Sequence, residues 1–399
     1  MYEEEIKTLR SQLELNMDDI MRVQKLNLLR YYLSKNEDEN KITKVEYVEE
    51  KDNLKYSESI RIAIILSERL NEMIMLNKND TKLIEELYKI LQENYYYLAR
   101  YLFNYFAVAM EFGIEKSKQF LAPRTCVLNY INWELTKFYY KDRAVMTISM
   151  PQGTGKTETG KRFMAFAIGN NPNLPNMMVS YSASIAKDKF YNGIISLYAD
   201  EMGNYRKIFP EVKLIYKSAE TLSLDFRDDD KRTTHSEYTL YCAGFDGSIT
   251  GRTRAHNILY IDDLVKDIEE ASNNDIMDKK WTEFTGTLKK RMQGHCKLLL
   301  VGTIFSINDP LSRLIEYYKT KDSKRIKIIK IPGLNENMES NFNYGYGFAI
   351  TTEMFLEDKD LMDAVSFECL IQQNPIDRDG LLFNEEEFRK FKEYGRDET

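Results

Sequence analysis

An α/β layered domain built on a mostly parallel sheet, preceded by an α-helical region, is predicted by three observations. Six near-continuous apolar runs follow residue 120: AVMTISM (144–150), NMMVSY (176–181), TLYCAG (239–244), NILYID (257–262), KLLLVGT (297–303) and RIKIIKI (325–331). Runs of this kind suit strands buried on both faces, as in a parallel sheet covered by helices. The stretches between them carry helical and loop signals, which is the alternation of a layered α/β fold. The first third of the chain instead places its apolar residues at helical spacing.

Taken in order, residues 6–33 space Ile6, Leu9, Leu13, Met17, Ile20 and Leu28 as on one helix. Residues 36–56, with NEDENK and further charges, read as a loop or a weakly ordered connection. Ser57 is placed to cap a helix through Ile60, Ile64, Leu66 and Leu70, and Asp80 to cap a long one through Leu83, Leu87, Leu91, Leu98, Leu102 and Phe106. This gives a helical region over 1–115, either a partner- or DNA-contacting appendage or a brace for the core. An α/β core over 116–335 and a mixed connector over 336–399 follow.

Composition narrows the function. The 399 residues are 43% hydrophobic and 30% charged, enough apolar mass for a core of two or three domains. No apolar run approaches the roughly 20 residues of a membrane span, and the acidic start MYEEEIKTLR is no secretory signal. Cys126, Cys242, Cys296 and Cys369 lie far apart, without the spacing of a zinc module or a disulfide framework, and point to a reducing compartment. A net charge of −7 excludes a uniformly basic nucleic-acid coat but not a local basic groove. Lys289-Lys290-Arg291 and Lys324-Arg325 with Lys327 are the basic stretches available to DNA.

The chemistry concentrates where the first apolar run meets Pro151-Gln152-Gly153-Thr154-Gly155-Lys156-Thr157-Glu158. The first glycine of G-x-x-x-x-G-K-[ST] is missing, so this is a variant phosphate loop. Its physics survives: Gly153 and Gly155 let backbone N–H groups curl around phosphate oxygens, Lys156 neutralises the β/γ-phosphates, and Thr157 offers a hydroxyl to Mg²⁺. A helix from Glu158 onward aims its positive end at the anion. The run NILYID supplies Asp262 and Asp263 at a strand's carboxyl end, where ligands bind in open α/β sheets. Asp262 is the predicted Mg²⁺ acid and Asp263 the carboxylate that polarises an attacking water. Gly247 to Arg254 reads either as a mobile basic loop whose arginine reaches a γ-phosphate, in this or a neighbouring subunit, or as an ordinary surface hairpin. Thr303, ending the run KLLLVGT, either senses the γ-phosphate through its hydroxyl or simply terminates a strand.

Together, over about 120–385, these residues resemble the ATPase half of the large terminase subunit of tailed bacteriophages. The resemblance rests, in order, on MTISMPQGTGKTETG, NPNLPNMMVSYSASIAKDKF, IFPEVKL, GSITGRTRAHNILYIDDLVKDIEEAS, LKKRMQGHCKLLLVGT and FECLIQQNPIDRDGLLF. It implies a P-loop NTPase fold of the ASCE (RecA-like) type and an ATP-hydrolysing motor that drives double-stranded DNA into a procapsid. ATP and Mg²⁺ are the implied cofactors. Gln152 to Glu158 become the nucleotide loop, Thr157 and Asp262 the metal ligands, Asp263 and Arg252 the catalytic groups, and Thr303 the coupling residue. Arg252 matches a glycine-flanked arginine that acts across subunits. The implied partners are the portal and procapsid, the small terminase subunit and further copies in a ring of five; the implied place is the host cytoplasm, at the portal and not in the mature virion. Three departures stand out: Gln152 where the family often has Arg, Asp263 where Glu is common, and Ile304-Phe305 where Arg-Trp is frequent. No strand-borne acid cluster follows residue 380, so nuclease activity is not expected. Another nucleic-acid translocase or helicase-like ATPase, or a nucleotide-switched binding module, are the alternative readings.

Overall fold

The six apolar runs form the parallel part of one sheet in the computed structural model, which describes residues 2–228, 237–245 and 254–376. The strands of the chain are β1 (Val45–Val48), β2 (Asn53–Tyr56), β3 (Val145–Ser149), β4 (Asn176–Ser180), β5 (Val212–Ser218), β6 (Ser223–Asp228), β7 (Leu240–Gly244), β8 (Ile258–Asp262), β9 (Lys297–Gly302) and β10 (Ile326–Lys330). The main sheet has eight strands in the order β10-β3-β9-β8-β4-β7-β6-β5. From β10 to β7 every pairing is parallel. The β5–β6 hairpin adds an antiparallel edge. Sequence reading missed this hairpin because β5 buries Val212 alone, is otherwise open to solvent, and carries no continuous apolar run.

The helices that matter here are α1 (Glu3–Leu13), α2 (Asp19–Glu39), α3 (Glu58–Leu76), α4 (Thr81–Ala99), α5 (Phe103–Ala109), α6 (Thr125–Tyr140) and α7 (Lys156–Asn170). Side chains alternate across a strand, so each central strand feeds two cores. Met146, Ile148, Met178, Tyr260, Leu299 and Val301 face α5, α6 and α7, where Phe103, Phe106, Leu135, Phe163 and Phe166 cover them. Val145, Met177, Val179, Leu259, Ile261, Leu298 and Leu300 face the other way, onto Phe284, Leu288 and the helix Pro310–Lys321. Burying each such side chain contributes about 2 kcal/mol. The sheet is thereby fixed between two layers, which leaves its strand ends open to chemistry. Packing does not break at residue 115: Phe103 meets Phe163 edge-on, with centroids 5.2 Å apart. Among the described residues, no helix is long and apolar enough to cross a membrane.

The helical region differs from expectation in two places. The predicted helix over 6–33 is broken into α1 and α2, because the Asp18 carboxylate accepts from Met21 N and starts a new helix there. The predicted loop over 36–56 holds the end of α2 and the β1–β2 hairpin, in which Val45 and Leu54 are buried. Two four-residue strands among so many charges leave too short a pattern to read. The Asp80 cap is as expected, accepting from Leu83 N at 3.0 Å.

Ser57 stands at the start of α3 but does not cap it with its side chain. Buried Glu37, arriving from α2, does so instead. Its carboxylate accepts from Ser59 N at 2.9 Å and from the Ser59 hydroxyl, and it pairs with Lys44 at 3.0 Å. Burial pushes the Glu37 pKa up, but these donors outweigh it and hold the carboxyl below the usual range. A depressed folded pKa means that the stabilisation stands above the unfolded pKa and is lost as pH falls through the folded one. Glu37→Ala is expected to lower stability by about 1.5 kcal/mol at neutral pH, from one lost cap and its hydrogen bonds. Urea unfolding of both chains checks it, and the gap should close as the pH falls below the ordinary glutamate range.

Candidate nucleotide site

β3 ends at Ser149, and the chain turns through Met150–Gly155 into α7. Gly153 (φ +77°) and Gly155 (φ +103°) take left-handed backbone that other residues rarely adopt. A Cβ on Gly155 would also sit 3.0 Å from the Phe120 ring. The loop is closed from within: the Thr154 hydroxyl donates to Pro151 O at 2.7 Å. It is held from outside by the Tyr344 hydroxyl, which donates to Thr154 O at 2.9 Å. This rigid turn delivers Lys156 as the first residue of the 15-residue α7, whose free N–H groups face the loop.

The Lys156 ammonium is 7% exposed and donates to Met150 O at 2.7 Å, Pro151 O at 2.8 Å and Thr303 Oγ1 at 3.0 Å. None of these three partners carries charge. Compensation comes from beyond them, from Asp263 and Asp262, which oppose the burial that lowers the lysine's pKa. Lys156 and the two aspartates therefore stand at one rim of the sheet. The register explains why: Ser149 of β3 pairs with Gly302 of β9, and Asp262 of β8 pairs with the adjacent Val301, all in parallel.

The aspartates are held differently. Asp262, the last residue of β8, is 3% exposed. Burial first, then the neighbouring Asp263 charge, push its pKa up to about 7, against the pull of the Thr157 hydroxyl and Lys156. Its Oδ1 is buried with no hydrogen-bond partner. Asp263 sits in left-handed backbone (φ +47°), with its N–H on Val301 O and its Oδ1 accepting from Thr303 N at 3.0 Å. Burial raises its pKa as well, while Lys156, the Thr303 N–H and Lys189 pull it down. A Cβ on Gly302 would stand 2.9 Å from Asp263 Oδ1, so the glycine leaves the room this carboxylate occupies.

The structure thus brings together Gly153, Thr154, Gly155, Lys156, Thr157, Asp262, Asp263 and Thr303. Gln152 lies exposed on the crown of the loop. Glu158 does not face the loop's anion cradle as a free carboxylate: it pairs with Lys161 and with Arg162 at 3.0 Å on its own helix. Arg252 lies outside the described residues. Of the basic stretches, Lys324, Arg325 and Lys327 line a cavity of about 500 Å³ at the opposite strand ends, with Glu49, Glu50, Asp52 and Glu134. Lys327 pairs there with Glu134 at 3.0 Å, so this is a mixed-charge wall and not a basic face. Sequence reading missed Gly302, Lys189 and Tyr344. Gly302 precedes the predicted Thr303 and was legible by position, whereas Lys189 and Tyr344 reach the site only through the fold.

A glycine cradle, a helix N-terminus, a buried lysine and two buried carboxylates form an arrangement suited to a polyphosphate and a hard cation. No protein-family model matches the chain, and no curated protein matches it. Among solved structures it is similar to the HK97 bacteriophage large terminase, at 13% identity and a TM-score of 0.41, over 61% of this chain and 49% of that one. It is also similar to the Phi-28 gp11 DNA packaging motor, at 12% identity and a TM-score of 0.29, over 55% of this chain and 63% of that one. The chain spans about half the length of the first and less than two thirds of the second. The large terminase of the sequence resemblance thus recurs among the solved structures that this chain is similar to.

Proposed function

We propose that this chain is an ATP-hydrolysing motor of the viral DNA-packaging type, with a P-loop core of the ASCE class. The observation that carries the proposal is the meeting of Lys156, Thr157, Asp262, Asp263 and Thr303 at one rim. The strand order supports the class: β9 lies between the loop strand β3 and the acid strand β8, so Thr303, which directly follows β9, stands between the lysine and Asp263.

The residues fit Mg²⁺·ATP. The orphaned Asp262 Oδ1 beside the Thr157 hydroxyl offers the oxygen pair that a hard cation takes, directly or through water. Bound Mg²⁺ supplies charge neutralisation on the β- and γ-phosphates. Gly153–Gly155 and the α7 N-terminus cradle the phosphates, and Lys156 exchanges its loop carbonyls for a γ-phosphate oxygen. Asp263, fixed by Thr303 N, would orient the attacking water and take its proton as the new oxygen–phosphorus bond forms and the bond from the γ-phosphorus to the β,γ-bridging oxygen breaks, releasing ADP and phosphate. Thr303 touches Lys156 and Asp263 at once and is placed to register loss of the γ-phosphate.

DNA, the portal, the small subunit and a ring of copies remain part of the proposal through Arg252 acting in a neighbour's site. The test is turnover against protein concentration, with and without double-stranded DNA, for wild type and Arg252→Ala. The expected result is weak ATPase in dilute protein, a rise on assembly with DNA, and at least a tenfold loss of that rise in Arg252→Ala. Absence of ATP hydrolysis in every condition overturns the enzyme reading and leaves a nucleotide-switched module. Turnover linear in protein, indifferent to DNA and to Arg252, overturns the motor reading.

A further inference from the structure

We infer that Gln373 is the positioning residue that connects the nucleotide site to the C-terminal segment of the chain; the inference rests on the ATPase reading above. Gln373 belongs to FECLIQQNP, a stretch that the phosphate chemistry leaves without a role. It is 1% exposed and held in left-handed backbone (φ +54°), a conformation unfavourable for a residue with a long side chain. Its amide is used on both sides. Oε1 accepts from Ile304 N at 3.1 Å. Nε2 donates to Leu370 O at 2.6 Å and Cys369 O at 3.3 Å, the last carbonyls of the helix Ala364–Leu370.

Ile304 is the residue after Thr303. A continuous set of contacts therefore runs from Lys156 Nζ to Thr303, along one peptide to Ile304 N, through the Gln373 amide, and into a helix end. Neighbouring Gln372 makes a parallel connection that avoids the site: Oε1 accepts from Leu334 N at 3.0 Å, beyond β10. Gly333 N likewise donates to Ile371 O at 2.7 Å. Two adjacent glutamines thus fasten one turn to the exits of two strands, and of the two it is Gln373 that holds the exit of β9, next to Thr303. An unpaired Ile304 N–H in that buried place is costly, so a shift of Thr303 on loss of the γ-phosphate carries Gln373 with it.

The test compares Gln373→Met, Gln373→Asn and Gln372→Met with wild type. Methionine keeps the volume and removes the amide. Asparagine tolerates the left-handed backbone but falls one methylene short of Ile304 N. Three quantities are read in each chain: the dissociation constant for a non-hydrolysable ATP analogue with Mg²⁺, kcat, and tryptic cleavage of the 352–376 segment with that analogue against ADP. Both Gln373 variants are expected to bind the analogue within about threefold of wild type, to lose about tenfold in kcat, and to cleave alike with analogue and ADP. Gln372→Met, which loses the part-buried hydrogen bond to Leu334 N on the same turn, is expected to keep kcat and the nucleotide-dependent difference in cleavage. A Gln373 variant that folds and keeps that difference overturns the inference, as does Gln372→Met losing it equally. If wild type itself binds no analogue, it is the ATPase reading that fails; if wild type binds but cleaves alike in both states, it is the connection through Gln373 that fails.

Discussion

Asp263→Asn is expected to lower kcat by about a thousandfold, roughly 4 kcal/mol of transition-state stabilisation, while the affinity for Mg²⁺·ATP stays within about threefold. The reason is local. Asparagine has the shape of aspartate and still offers an oxygen to Thr303 N, so the rim keeps its geometry. It removes the charge that, in the proposed function, orients water and accepts its proton. Lys156 keeps Asp262 as a charged neighbour, so the lysine stays in place. Folding is not expected to suffer, because burial already disfavours the Asp263 charge. Single-turnover hydrolysis beside equilibrium binding separates the two effects; robust hydrolysis by this variant assigns the water to another group.

Gly160→Ala is expected to destabilise the core where it meets the acid strand. Gly160 lies one turn past Lys156 on α7, packed on β8. An added Cβ would stand 2.5 Å from Tyr260 Cε2 and Cζ, with the phenolic oxygen nearer still. Alanine favours a helix over glycine by about 1 kcal/mol. The clash runs against it: Tyr260 is fully buried and braced edge-on by Phe190, at 5.5 Å between centroids. Overpacking of this kind costs about 3 kcal/mol, so the clash wins by about 2 kcal/mol. Tyr260 is two residues before Asp262, so the strain also reaches the acid rim and turnover should fall with stability. Chemical denaturation measures the loss. Tyr260→Phe in the same chain is expected to restore part of it by removing the nearest obstructing atom. A neutral or stabilising Gly160→Ala would mean that α7 and β8 are less closely packed than described.

The sheet was legible because a strand buried on both faces must be apolar along its whole length. All six such runs became strands, and the loop and acid motifs fell at their carboxyl ends. What escaped was structure whose pattern is short or one-sided. The β1–β2 hairpin buries Val45 and Leu54 amid charges, and β5 shows solvent every second residue or more often. The site divides the same way. Lys156, Asp262 and Asp263 announce themselves by type and place, because few sequences put a lysine after glycines or twin acids after an apolar strand. Tyr344 and Gln373 lie far along the chain from the residues they touch, Thr154 and Ile304, and ordinary residue types at such separations carry no local signal. The Glu37 cap shows the same limit, since the local rule pointed to Ser57 and a carboxylate from another helix took the position.

In the proposed function, Lys156, Thr157 and Asp262 serve one ligand, a nucleotide with its cation. Calorimetric titration of ATP into wild type and Asp262→Ala, each with Mg²⁺ and with EDTA, tests it most directly. Mg²⁺ is expected to strengthen binding to wild type at least tenfold, whereas Asp262→Ala is expected to bind ATP in EDTA but gain little from Mg²⁺. Equal strengthening by Mg²⁺ in both chains would place the cation away from Asp262 and contradict the account.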